Sequence, residues 1–143
     1  MHTAVDTAGA VPYEAFERIL PYTDLLLYDI KCIDEALHLA GTGVSNRLIL
    51  ENLRLLSQES SCEIIVRIPV IGGFNDSEEE LSRIADFLRP LRLAAVEPLP
   101  YHKMGEGKYA ALGLVPETFT VPSEEKMARA RALLCNSLKE DFI

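Results

Sequence analysis

The stretch that decides the fold runs from Glu63 to Leu88 and reads EIIVRIPVIGGFNDSEEELSRIADFL. Its first eight residues are rich in β-branched side chains, which favour a strand. A glycine-containing turn follows, and Ser77 or Asp76 is then placed to cap a helix whose acidic first turn suits the positive end of the helix dipole. The stretch therefore predicts a strand followed by a helix, the repeating unit of a parallel sheet.

The same alternation of apolar runs and helical segments occurs four times along the chain. The predicted strands are His2–Val5, Asp24–Ile30, Glu63–Val70 and Leu93–Leu99. The predicted helices are Tyr13–Leu20, a second from about Asn46 to Gln58, a third ending near Leu88, and Glu124–Leu138. We expect Asp24–Ile30, which has almost no polar break, to be buried on both faces. The segment around Gly41 and Gly43 is predicted to be a loop.

The totals agree with a single α/β domain over residues 1–143 and exclude some classes of function. A chain of 143 residues is too short for a complete α/β barrel. With 14 basic and 22 acidic side chains, its formal charge of -8 is unsuited to nucleic acid. Strongly apolar runs such as Leu25–Leu27 are far below the roughly 20 residues of a membrane span, so a cytoplasmic protein without membrane attachment is expected.

Polar residues stand at or near the end of every predicted strand, where parallel sheets and barrels bind ligands. They are Asp6, Asp29 with Lys31, Arg67 and His102. Carboxylates suit hydroxyls and cations, whereas Lys and Arg suit a ligand carboxylate, so the set indicates a small zwitterionic nucleoside. Each residue also has a purely structural explanation; for Arg67, it is pairing with a neighbouring carboxylate. No phosphate-binding loop or dinucleotide fingerprint is present.

Five short motifs resemble the glycyl radical enzyme activating enzymes of the radical S-adenosylmethionine (SAM) superfamily, which include pyruvate formate-lyase activating enzyme. The motifs are Asp6-Thr7-Ala8-Gly9, Tyr28-Asp29-Ile30-Lys31, Thr42-Gly43-Val44-Ser45-Asn46, Arg67-Ile68-Pro69 and Leu99-Pro100-Tyr101-His102. The resemblance implies a partial parallel (β/α)6 barrel. The chain would supply about four βα units from its carboxy-terminal part, without the amino-terminal part that binds the cluster.

The resemblance also implies roles for individual residues. Asp29, Ile30 and Lys31 are similar to a segment that contacts SAM, with Lys31 near its ribose or methionyl group. His102 is similar to a second SAM contact, and Arg67 to a strand arginine that meets the SAM carboxylate or the substrate loop. No catalytic residue is carried over from the family.

The implied activity is that of an oxidoreductase resembling the activating enzyme of formate C-acetyltransferase, another name for pyruvate formate-lyase. An electron from a 4Fe-4S cluster would cleave SAM, and the resulting radical would take a hydrogen atom from a glycine of the partner enzyme, such as pyruvate formate-lyase. The implied reductant is a flavodoxin or ferredoxin, as in anaerobic metabolism. Asp6 resembles an acidic residue at a monovalent-cation site beside SAM.

The cysteines depart from the family pattern. Cys32, Cys62 and Cys135 form neither a disulfide framework nor the Cys-x3-Cys-x2-Cys motif of the family, so the chain alone is not expected to bind the cluster or to be active. One alternative is a non-catalytic module that binds SAM or a protein. Another is a fragment of an unrelated TIM-barrel lyase or aldolase that uses Lys31 as a Schiff-base amine.

Overall fold

The computed structural model describes residues 2–101 and 119–139, in which four strands alternate with helices. The strands are β1 (Ala4–Thr7), β2 (Leu25–Asp29), β3 (Glu63–Val70) and β4 (Ala95–Pro100). The helices are α1 (Tyr13–Ile19), a 3-10 turn (Leu20–Tyr22), α2 (Glu35–Thr42), α3 (Arg47–Glu59), α4 (Glu78–Leu88) and α5 (Glu124–Lys139).

The four strands form one parallel sheet in the order β1-β2-β3-β4. This confirms the predicted α/β class and the four consecutive parallel strands. The α5 helix packs against β4 and α4. All four strands run in one direction, so their carboxyl ends lie at one edge of the sheet.

Only one face of the sheet is covered by the described helices. Alternate residues of β2 and β3 lie on that face and form the main core with side chains of α1, α3, α4 and α5. The core members from these two strands are Leu26, Tyr28, Ile64, Val66, Ile68 and Val70, and Val96 of β4 also belongs to this core. On the opposite, open face, Leu25 and Leu27 are only partly buried. The prediction that β2 is buried on both faces is therefore wrong for the part of the chain described, because no described helix covers the second face.

The α2 helix lies where a loop was predicted, and both its ends are well defined. The Asp34 side chain accepts a hydrogen bond from the Leu37 N–H at 2.9 Å, which caps the first turn. Gly43 ends the helix in the left-handed conformation, with φ of 81°, which glycine adopts without steric cost. The glycines that indicated a loop therefore belong to the end of a helix.

The ends of the strands differ from the prediction by a few residues. The first strand extends to Thr7 and so includes Asp6, whereas the prediction ended it at Val5. The fourth extends through Pro98 to Pro100. In the described sheet β4 is an edge strand, where proline is tolerated because its missing N–H faces no partner strand.

A two-residue bridge links the segment before α5 to the exit of β3. The Gly72 N–H donates to the Thr120 carbonyl at 2.8 Å, and the Thr120 N–H donates back at 3.0 Å. Phe74 and Phe119 pack beside this bridge in a second, smaller apolar cluster with Cys32, Ile71 and Tyr101. The cluster closes the core beneath the carboxyl ends of β2, β3 and β4.

Candidate cofactor-binding site

Three of the predicted site residues meet at the carboxyl end of the open face. Arg67 of β3 is the register partner of Asp29 in β2, and its Nε lies 3.2 Å from Asp29 Oδ1. Its Nη2 reaches across β2 to Asp6 Oδ1 of β1, at 2.5 Å. The protein's own carboxylates thus provide the anionic partner that an arginine within an apolar strand requires.

The two ion pairs of Arg67 differ in exposure. The Arg67 side chain is 23% exposed and that of Asp29 is 32% exposed, whereas that of Asp6 is 61% exposed. Water screens a charge as exposed as that of Asp6, so its pair with Arg67 is weak and a ligand can displace it. The inner pair with Asp29 is better shielded from water, although its N···O distance is longer.

Burial raises the pKa of Asp29 above its ordinary value, and the nearby charge of Asp6 acts in the same direction. Arg67 and Lys31 oppose the rise but do not cancel it. The pKa of Arg67 is raised, chiefly by its hydrogen bond with Asp6. Perturbed pKa values of desolvated, oppositely charged neighbours are common at binding sites. They also occur in ion pairs that serve only the structure.

Ile30 and Lys31, the two residues that follow β2, differ in how far a ligand can reach their side chains. The Ile30 side chain is buried in the core, and its N–H donates to the Arg67 carbonyl at 3.0 Å, so it can reach a ligand only through its backbone. Lys31 is partly buried and lies close enough to lower the pKa of Asp29. Within the described residues, no ion pair involves Lys31.

His102 lies outside the described residues, and its contact with SAM remains a prediction. The residue before it, Tyr101, is buried and donates its N–H to the Val70 carbonyl at 3.0 Å. The described chain therefore leaves β4 at the same edge of the sheet as Lys31 and Arg67.

The cysteines do not fit an iron–sulfur cluster. Cys32 follows β2, Cys62 precedes β3 at the opposite end of the sheet, and Cys135 lies in α5. Burial raises the pKa of the Cys32 thiol to about 12, which disfavours the thiolate that binds iron. No group of three or more potential metal ligands exists among residues 2–101 and 119–139.

Sequence reasoning missed four buried polar residues that hold the loops of this edge. They are Asn46, Asn52, Asn75 and Glu80. The Asn52 Nδ2 donates to the carbonyls of Gly9, at 2.8 Å, and Val11, at 2.6 Å, and so holds the loop after β1. The other three contact the loop after β2. The sequence around them did not indicate these contacts, since asparagine is common in turns and at helix starts.

The chain is similar to activating enzymes over most of its length. It is 43% identical over 137 residues to the trans-4-hydroxy-L-proline dehydratase activating enzyme of Clostridioides difficile, covering 93% of this chain and 45% of that protein. It is also 43% identical over 117 residues to the choline trimethylamine-lyase activating enzyme of Oleidesulfovibrio alaskensis, covering 79% of this chain and 37% of the relative. The chain is a homologue of the glycyl radical enzyme activating enzymes. It spans less than half the length of these curated relatives.

Solved structures agree with this relationship. A crystallised domain of a pyruvate-formate lyase-activating enzyme from Bacteroides vulgatus superposes with a TM-score of 0.78 at 29% identity, covering 96% of this chain and 77% of that one. A radical SAM methyltransferase from Sphaerobacter thermophilus has a TM-score of 0.66 at 21% identity, which shows a shared fold only. Together they confirm the radical SAM type of partial barrel. No family model matches the sequence.

In the described residues, no helix is both long and apolar enough to cross a membrane. This agrees with the short apolar runs of the sequence.

We expect Asp29→Asn to change how stability depends on pH. Because the pKa of Asp29 is raised in the folded state, the folded state holds this proton more tightly than the unfolded state does. The resulting stabilisation is present below the unfolded pKa and is lost as pH rises through the folded pKa. Urea unfolding at several acidic pH values should therefore show wild type losing stability relative to Asp29→Asn as pH rises through that window. The opposite trend would contradict the direction of the shift.

Proposed function

We propose that the chain forms the SAM-binding part of a glycyl radical enzyme activating enzyme, a radical SAM oxidoreductase. The observation that carries the proposal is the meeting of Asp6, Asp29 and Arg67, beside Lys31, on the sheet face that no described helix covers. Homology to activating enzymes supports it.

These side chains suit the carboxylate and the amino group of the methionyl part of SAM, and also its ribose. Arg67 can grip the carboxylate with two N–H groups once its exposed pair with Asp6 opens. Asp29 and Lys31 suit the amino group and the ribose hydroxyls, respectively, and His102 provides a further contact. Asp6 is suited to a monovalent cation beside SAM. Reductive cleavage of bound SAM would supply the 5'-deoxyadenosyl radical for hydrogen abstraction.

The proposed partner is a glycyl radical enzyme, with a flavodoxin or ferredoxin as electron donor, in the cytoplasm. The names of the relatives refer to a dehydratase, a trimethylamine-lyase and, at 44% identity, an isethionate sulfite-lyase of Nitratidesulfovibrio vulgaris. These identities are nearly equal. Pyruvate formate-lyase is therefore one candidate partner among several.

The cluster is proposed to be held by residues outside this chain, since Cys32, Cys62 and Cys135 do not fit it. The chain by itself should then bind SAM without cleaving it. This agrees with the alternative of a SAM-binding module for the isolated chain, while the complete protein performs the radical chemistry.

The test has a binding arm and a chemical arm. Titration calorimetry should detect SAM binding to the chain, and Lys31→Ala or His102→Ala should weaken it about tenfold. The full-length gene product, reconstituted anaerobically with iron and sulfide, should form 5'-deoxyadenosine from SAM and a strong reductant, with the same dependence. Lys126→Ala is the control, because this lysine pairs with Asp76 beside α4. A folded product that contains the three-cysteine motif but neither binds nor cleaves SAM would refute the proposal.

A further inference from the structure

The loop from Lys31 to Asp34 is held through its backbone by side chains from three different parts of the chain. Asn75 lies after β3, Asn46 precedes α3, and Glu80 is in the first turn of α4. Their exposed fractions are 0%, 2% and 3%, so the side chains that make these hydrogen bonds are buried. Losing such a hydrogen bond would leave a buried polar group without a partner, so these contacts favour one arrangement of the loop.

Asn75 joins the two strand exits that carry Lys31 and Arg67. Its Nδ2 donates to the Lys31 carbonyl at 2.6 Å and to the Pro69 carbonyl at 2.8 Å. Its Oδ1 accepts from the Ile71 N–H at 2.8 Å. Both amide hydrogens are thus used to connect β2 with β3 just beyond the end of their ladder.

Asn46 and Glu80 hold the next residues of the same loop. The Asn46 Nδ2 donates to the carbonyls of Cys32, at 3.1 Å, and Ile33, at 2.8 Å, instead of capping its own helix. Glu80 Oε2 accepts from the Ile33 N–H at 2.5 Å and more weakly from the Asp34 N–H at 3.4 Å. The backbone after Lys31 is therefore held through both its carbonyl groups and its N–H groups.

We propose that Asn75 is a positioning residue that fixes the Lys31 backbone relative to Arg67, so that the Lys31 ammonium points over the site. The inference rests on the proposed function, since Lys31 must contact SAM. Asn75 bonds backbone groups and lies beneath the site, so its effect on a ligand passes through the residues that it positions, chiefly Lys31. A lysine has many rotamers, and a fixed Cα position limits the volume that its ammonium can search.

The experiment compares SAM affinity, by titration calorimetry, in wild type, Asn75→Ala and Leu56→Ala at a temperature well below the unfolding midpoints of all three. Leu56 is fully buried near the end of α3, towards the opposite end of the sheet, and serves as the control for loss of stability away from the site. We expect Asn75→Ala to raise the dissociation constant about tenfold and Leu56→Ala to leave it within about twofold. Asn75→Ser, which keeps one hydrogen-bonding group, takes the place of Asn75→Ala if that variant does not fold.

A double-mutant cycle tests whether Asn75 acts through Lys31. In a Lys31→Ala background, Asn75→Ala should change SAM affinity by less than about twofold, because the group that it positions is gone. Equal effects in the two backgrounds, or equal effects of Asn75→Ala and Leu56→Ala, would overturn the inference and leave the proposed function standing. Absence of SAM binding in wild type would overturn both.

Discussion

Gly9→Ala is expected to lower the free energy of unfolding by about 3 to 5 kcal/mol. Gly9 has φ of 76°, and an added Cβ would lie 1.9 Å from the hydroxyl oxygen of Tyr28. Tyr28 is fully buried, and its hydroxyl donates to the Ile49 carbonyl at 2.5 Å, so it cannot move aside. The Gly9 backbone is itself held by Asn52. The substitution therefore combines backbone strain with a clash in the core.

Gly43→Ala separates these two costs. Gly43 has a similar φ of 81°, but nothing lies within 4 Å of its added Cβ. It should lose only about 1 kcal/mol, the cost of the left-handed backbone. Urea unfolding of both variants and wild type measures the difference, and equal losses would show that Tyr28 yields to the methyl group.

Arg67→Met is expected to weaken SAM binding about a hundredfold, the largest effect that we predict on the site. The substitution removes the two-pronged donor and leaves Asp6 and Asp29 without their shared cation. Arg67→Lys should recover part of the affinity, because a lysine restores the charge but cannot donate two parallel hydrogen bonds.

The control for charge is Arg54→Met, measured in the same titrations. Arg54 pairs with Glu51 at 3.1 Å and lies over the Phe87 ring on the helical side of the protein. It loses the same formal charge as Arg67→Met but should keep wild-type affinity. Equal weakening in both variants would assign the effect to net charge and remove Arg67 from the site.

The strands and most helices could be predicted because their signals are local. The β-branched strand has the predicted bounds, Glu63–Val70. Ser77, one of the two predicted caps, caps α4 by accepting a hydrogen bond from the Glu80 N–H. The α2 helix was missed because its pattern is short and two glycines near its end indicated a loop. The open face was missed because an apolar strand has the same composition whether one face or both are covered.

The site could be predicted by the rule that polar residues at or near the ends of parallel strands mark a ligand site. That rule found Asp6, Asp29 and Arg67, and the parallel register then brings them together. The sequence could not show that Arg67 bridges both carboxylates, since the contact with Asp6 crosses an intervening strand. Nor could it show the role of Asn75, because that depends on carbonyl groups 6 and 44 residues away.

The two faces of the sheet place different demands on alternate residues of each strand. In β2 and β3, alternate side chains maintain the core, whereas those between them, such as Leu27, Ile65 and Arg67, face the open side. Because the side-chain period of a strand is two, a change on the open side leaves the neighbouring core positions unaltered. Substitutions on the open side can therefore alter what this edge of the sheet binds, while the adjacent core residues stay the same.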